Sequence, residues 1–170
     1  MAKFLIYKTS NSFSSNTKES LDLASTSHIG EIKNGKTIYS LFEVLYLLEK
    51  NKAQLLDSKD KNISFKELMN KNEKNHEIYL AFRNLRDKGH ILKEGLKFGT
   101  DFRVYKKGDK PGKDHAKYLL YAISQNAKVN LKEITSKARV AHSTNKILLL
   151  AIIDAEEDIN YYEINWDSKI

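Results

Sequence analysis

Three side chains in the second half of this 170-residue chain, Tyr105, His115 and Lys146, bring together a phenol, an imidazole and an ammonium. The combination suits acid–base chemistry on an anionic substrate. An imidazole has an ordinary pKa of about 6.5, so it can give up and regain a proton near neutrality. An ammonium is a compact positive charge, matched to a transition state that gains negative charge. A phenol, with an ordinary pKa of about 10, is ionised in roughly one molecule in a thousand at pH 7. It needs a neighbouring cation to serve as a base; otherwise it offers a positioning hydrogen bond. Each residue also has a plain reading: a strand-end aromatic, a polar residue before a strand, one lysine among many. Metal chemistry has less support. Cysteine is absent, and His28, His76, His90, His115 and His142 are scattered without ligand spacing. No Asp is followed by Glu-x-Lys in a strand context, as metal-dependent nucleases of related architecture require.

What joins the three is their frame. Gly95-Leu96-Lys97-Phe98-Gly99-Thr100-Asp101 runs into Phe102-Arg103-Val104-Tyr105. His115 opens His115-Ala116-Lys117-Tyr118-Leu119, and Lys146 follows Ala138-Arg139-Val140-Ala141-His142-Ser143. This pattern resembles the catalytic subunit of the archaeal tRNA-intron (tRNA-splicing) endonucleases. The resemblance is strongest over residues 92–166, weaker over 41–86 and absent from 1–30. It implies a lyase-type, metal-independent endoribonuclease with no cofactor, cutting precursor tRNA at bulge–helix–bulge intron junctions. RNA can be cut in this way because its own 2′-hydroxyl is the nucleophile. A base is needed at that hydroxyl, an acid at the departing 5′-oxygen and a cation at the phosphorane. The resemblance implies Tyr105, His115 and Lys146 for these roles in that order, with 2′,3′-cyclic phosphate and 5′-hydroxyl ends as products.

Further positions follow from the same resemblance. Arg139 matches an arginine that stacks on a flipped bulge base, a task suited to a planar cation; the plain alternative is a helix-end arginine paired with a carboxylate. Tyr161 is the candidate for the second stacking residue, with core packing as its alternative. His142 and Ser143 are expected to support Lys146 or to touch phosphate. The acidic turn Asp154-Ala155-Glu156-Glu157-Asp158 is implied to dock into a basic groove of an opposing subunit. The expected partners are precursor tRNA and further subunits. These form either a heterotetramer with a non-catalytic paralogous subunit, slightly favoured by the unusual N-terminal half, or a homotetramer. At this length the fused, double-length form of the family is not expected. Two competing readings are a non-catalytic RNA-binding or structural subunit of the same assembly and a generic basic nucleic-acid-binding module.

Composition is compatible with these expectations. Hydrophobic residues make up 41% and charged residues 30%, the balance of a globular chain rather than a disordered one. The net charge of +7 favours a polyanionic partner. Only Arg83, Arg86, Arg103 and Arg139 are arginine, however, and a lysine-rich chain can also reflect genome composition or a hot habitat. No apolar stretch approaches the roughly 20 residues of a membrane span. The start of the chain lacks the pattern of a signal peptide. Together with the absence of cysteine, this makes the expected location cytoplasmic.

The elements that must position the three residues can be read from periodicity. The predicted class is α+β: an N-terminal mixed helical/strand domain over 1–90, then a C-terminal catalytic endonuclease domain over 91–170 with a mixed β-sheet packed on helices. Phe4-Leu5-Ile6-Tyr7 reads as a short strand, and residues 10–27, rich in Ser, Asn and Thr, as loop or poorly packed chain. Asn34-Gly35 marks a hairpin turn. Ser40-Leu41-Phe42-Glu43 and Ser64-Phe65-Lys66-Glu67 are capping boxes that open helices. A third helix is expected over 76–88, ended by Gly89. Strands are expected over 98–105, 115–123, 146–154 and 159–166, and one helix over 131–138, capped by Asn130. The run Ile147-Leu148-Leu149-Leu150-Ala151-Ile152-Ile153 predicts a strand buried on both faces. Residues 108–114 form a loop before His115, either a long hairpin turn or a segment that closes on RNA phosphates.

Overall fold

The computed structural model describes residues 3–10, 12–70 and 74–167. Backbone contacts divide the chain into two compact units, Met1–Asn75 and His76–Ile170. The boundary therefore falls before the third predicted helix, not near residue 90. The reason is packing: the Phe82 ring of that helix lies 5.2 Å from the ring of Phe102 in the following sheet.

The first unit holds β1 (Phe4–Lys8), β2 (Phe13–Ser15), α1 (Lys18–Ser27), β3 (Glu31–Lys33), β4 (Lys36–Tyr39), α2 (Leu41–Glu49), β5 (Ala53–Leu56), β6 (Asn62–Ile63) and α3 (Phe65–Met69). Its six strands form one sheet in the order β3-β4-β2-β1-β5-β6, with β1 and β5 parallel. The mixed helical and strand character expected of this half is present, with more strands than the one strand and one hairpin read from sequence. Residues 10–27, read as loop, contain β2 and α1. Thr17 caps α1 by accepting from the Ser20 amide at 3.3 Å. The hydroxyls of Ser25 and Thr26 donate back to the carbonyls of Leu21 and Asp22, so residues that usually favour turns are satisfied inside the helix. The Asn34-Gly35 turn forms as read, with positive φ at both residues, between paired Lys33 and Lys36. Both capping boxes form. Glu43 is buried and also accepts from the Gly30 amide at 2.8 Å, so it ties α2 to the β3 entry.

The second unit holds most of α4 (Lys74–Asp87), then β7 (Ile91–Glu94), a 3₁₀ turn (Leu96–Phe98), β8 (Phe102–Tyr105), β9 (Tyr118–Ser124), α5 (Leu131–Ser143), β10 (Ile147–Ile153) and β11 (Ile159–Ile164). The sheet order is β11-β10-β9-β8-β7; β9 and β10 are parallel and the other pairs antiparallel. One face carries Leu119 and Leu148 against Ala138 and Ala141 of α5. The other carries Phe102 and Tyr161 against Phe82 and Asn84 of α4.

Two predicted strands start later than read. The first is preceded by the 3₁₀ turn, because Gly99 takes a left-handed φ of 69° that breaks the extended run. The second begins at Tyr118, leaving His115 in the connection. Conversely α5 runs to Ser143, five residues beyond the expected end at 138. Within β10, Leu148, Leu149, Ala151 and Ile153 are buried, while Ile147, Leu150 and Ile152 are partly covered.

Candidate active site

Strand register gathers the candidate residues at one end of the second sheet. Val104 pairs with Tyr118, and Tyr118 with Ile147. One step outward, Lys117 therefore lies between Tyr105 and Lys146. The Lys117 amide donates to the Val104 carbonyl at 3.0 Å, and the Ile147 amide to the Lys117 carbonyl at 3.1 Å, so Lys117 bridges the end of β8 and the start of β10. Alternation puts Tyr105 on the same face as Arg103, and Lys146 on the same face as Leu148, which is the face covered by α5.

Tyr105 ends β8 and is buried, and its hydroxyl has no hydrogen bond among the described residues. Its backbone carbonyl accepts from Nδ1 of His90 at 2.9 Å. A carbonyl can only accept, so this contact requires the proton on Nδ1. His90 stands just before β7, whose Ile91 pairs with Tyr105.

The backbone of Lys146 is fixed from both sides. Helix α5 ends in a Schellman motif. The Asn145 amide donates to the His142 carbonyl at 3.0 Å, and the Lys146 amide to the Ala141 carbonyl at 2.8 Å. Asn145 supplies the left-handed residue, with φ 55°. β10 begins immediately afterwards. The Lys146 ammonium donates to the Thr144 carbonyl at 2.7 Å and lies 5.6 Å from the centre of the Phe98 ring. Burial, and then the positive charges of Arg103 and Lys97, hold its pKa below the ordinary lysine value.

His115 is exposed, between two anchored neighbours. Behind it, the Asp114 carboxylate accepts from the Lys110 amide at 2.7 Å and the Asp114 amide donates to the Lys110 carbonyl at 2.9 Å, closing the loop. Ahead, Ala116 is buried. The imidazole itself has no partner among the described residues and is available to a substrate.

Arg139, His142 and Ser143 lie on one exposed face of α5, at the helical spacings of three and four. Arg139 makes no ion pair among the described residues, so the alternative of a carboxylate-paired arginine is not realised there. The Ser143 hydroxyl donates to the Val140 carbonyl at 3.0 Å. Tyr161 is half-buried on the opposite face: its hydroxyl donates to Asn84 at 3.1 Å, and the Lys88 ammonium lies 5.3 Å from its ring centre. Burial raises its pKa. Register and contacts thus set Tyr161 apart from the face that holds Arg139. In the acidic turn, Asp154 accepts from the amides of Glu156 and Asp158, both at 2.9 Å. Glu157 meets Nε2 of His76 at 2.9 Å. Glu156 and Asp158 are exposed.

Several residues that sequence reading did not single out also shape this end. His90, Arg103, Lys97 and Phe98 surround Tyr105 or Lys146 as described. Lys117, central in the row, has its ammonium held by the Tyr118 hydroxyl and 3.8 Å from Glu163. Only strand register reveals these neighbours; the alternation of Arg103 with Tyr105 was the one signal visible in sequence. Among the described residues no group of three His, Asp or Glu side chains could hold a metal ion.

A family model described as "tRNA intron endonuclease, catalytic C-terminal domain" matches residues 75–161. A tRNA-splicing endonuclease of Thermococcus onnurineus is 37% identical over 158 residues, 91% of this chain and 90% of that protein. One from Methanothermobacter thermautotrophicus is 39% identical over 142 residues, covering 82% of this chain and 83% of its own length. One from Methanococcus maripaludis is 35% identical over 153 residues, covering 88% and 86%.

Proposed function

The chain belongs to the tRNA-splicing endonuclease family, and we propose that it cleaves precursor tRNA at bulge–helix–bulge junctions with Tyr105, His115 and Lys146 as its catalytic groups. The observation that carries this reading is the convergence of Tyr105, Lys146 and the His115 loop on one sheet end, with the Tyr105 hydroxyl and the His115 ring unpartnered.

The 2′-hydroxyl attacks the adjacent phosphorus while the P–O5′ bond breaks. Tyr105 receives or orients the 2′-hydroxyl proton. His115 gives a proton to the departing 5′-oxygen, and its exposed ring reloads from solvent. Lys146 faces the charge that develops on the phosphorane oxygens. The ends are then a 2′,3′-cyclic phosphate and a 5′-hydroxyl. Three side chains supply the base, the acid and the counter-charge, so this route calls for no metal or cofactor. Arg139, with His142 and Ser143 on the same helix face, contacts the bulge. Tyr161 is the weaker candidate, since its hydroxyl is already taken by Asn84 of α4 and its ring by the Lys88 ammonium. The exposed carboxylates of the 154–158 turn meet a basic groove on another subunit. A tetramer, with a non-catalytic paralogue or with further copies of this chain, brings two such sites to one substrate.

The test is cleavage of a bulge–helix–bulge precursor in EDTA, with analysis of both ends. His115→Ala is expected to lower the single-turnover rate by about 10² to 10⁴-fold while RNA affinity survives. Equal loss of rate and affinity would make His115 structural. Cleavage that requires a divalent ion would refute the metal-free route.

A further inference from the structure

A cleft of about 620 Å³ lies between the Leu96–Phe98 turn and α5, lined among others by Lys97, Phe98, Lys132, Ser136 and Lys137. Phe98 joins it to the catalytic end, because the Lys146 ammonium lies 5.6 Å from the Phe98 ring centre and Lys97 lies 5.2 Å from the same ring. The cleft is cationic in a particular way. Its carboxylate, Glu133, accepts from the Tyr121 hydroxyl at 2.8 Å and pairs with Lys137 at 3.4 Å. Lys137 is further held by the Gly99 carbonyl and the Tyr121 ring. The one negative charge on the wall is thus already answered. Lys97, Lys132 and the nearby Arg103 form no ion pair among the described residues. Two unanswered cations on the wall, Lys97 and Lys132, raise the positive potential there, and an incoming anion relieves it.

We propose that this cleft is a second RNA subsite, in which Lys97 and Lys132 hold backbone phosphates of the strand leading away from the scissile phosphate at Lys146. The inference rests on the endonuclease reading and extends it to a surface outside the catalytic groups and the Arg139 face. The distance suits the ligand. On the α5 side its lining runs from Asn130 to Val140, roughly 15 Å at 1.5 Å per helical residue. That is room for a few phosphates of an extended strand. Phe98 adds an apolar floor on which a base or ribose can rest.

The test compares wild type, Lys97→Gln/Lys132→Gln and a control pair from the other unit, Lys36→Gln/Lys52→Gln. All four lysines are exposed, so folding is not at issue. Binding is measured against salt with a bulge–helix–bulge RNA carrying 2′-deoxy nucleotides at the scissile positions, and cleavage with the all-ribose form. Each phosphate contact on a single strand contributes about 0.7 to the slope of log K against log salt. Losing two lowers the slope by about 1.4 and the affinity at 0.1 M salt by about 25-fold, whereas the control pair keeps the wild-type slope. If wild type cuts and the cleft pair keeps its slope, or if both pairs lose slope equally, the subsite is overturned while the endonuclease reading stands. If wild type neither binds nor cuts, alone or with a paralogous subunit added, both are overturned.

Discussion

Replacing His90 by alanine removes the one side-chain donor to the Tyr105 carbonyl, a contact of 2.9 Å at the end of β8. His90 touches no candidate catalytic side chain, so the effect travels through the backbone that carries Tyr105. A hydrogen bond of this kind contributes about 1 kcal/mol net, and Tyr105 keeps its strand pairing with Ile91, so a loss of about 1 kcal/mol in stability is expected. The catalytic effect should be larger than that loss implies. A displacement of about 1 Å in a reacting group can cost about 10²-fold in rate, and the last residue of a four-residue strand has one fewer neighbour to hold it. Single-turnover cleavage should fall about 10- to 100-fold in His90→Ala. His90→Asn, whose amide can donate from a similar position, should recover most of the rate. Urea unfolding of both variants checks that the protein remains folded at the assay temperature. Full activity in His90→Ala would refute the positioning argument. So would equal loss in His90→Asn, which would show that the ring matters for its bulk.

Lys146→Gln is expected to abolish cleavage without destabilising the fold, measured by single-turnover assay and urea unfolding side by side. The sign follows from the lowered pKa. Between its folded value and the ordinary lysine value, the unfolded chain binds more protons, so stability attributable to Lys146 rises as pH rises through that window; the charged form is carried at a cost at neutral pH. Wild type should therefore gain more stability than Lys146→Gln on passing through that alkaline window, and a matching pH dependence in the two would contradict the assignment. In the first unit, Glu43→Ala removes acceptors from the buried Gly30 amide and from the Ser40 amide and hydroxyl. The cost is about 3 kcal/mol, combining a lost cap with an unpaired buried donor, and it is read as a shift in the urea midpoint.

Local signals in the chain were readable wherever one residue decides the geometry. Asn34-Gly35 allows the tight turn it forms, and Ser40 with Glu43, or Ser64 with Glu67, satisfies the first amides of a helix by itself. The frame around Tyr105, His115 and Lys146 likewise pointed to one family over most of the chain. What escaped depended on partners distant in sequence. α1 is built from Ser, Thr and Asp residues that favour turns in isolation; it is stabilised by Thr17 and by Ser20, whose hydroxyl accepts from buried Thr37. β5 pairs in parallel with β1 across nearly fifty residues, beyond the reach of periodicity. The extension of α5 to Ser143 was signalled only by Asn145, an acceptable left-handed terminator that is easily overlooked beside Gly89. The separation of Tyr161 from Arg139 is a matter of sheet face, and a face is known only once register is known.

The parallel pairing of β9 with β10 has a consequence in time. Parallel strands start at the same edge of a sheet, so His115, just before one, and Lys146, just before the other, approach only when the chain between them has gone out, formed α5 and returned. Closing that excursion carries an entropic cost that no local contact offsets beforehand. The proposed cleavage centre is therefore assembled late: a chain still emerging from the ribosome, or one with α5 undocked, holds the proposed acid, His115, and the proposed counter-charge, Lys146, apart. Recovery of cleavage after denaturation should accordingly lag the return of helical signal and coincide with protection of the β9–β10 amides from hydrogen exchange, making RNA cutting a clock for the final long-range step of folding.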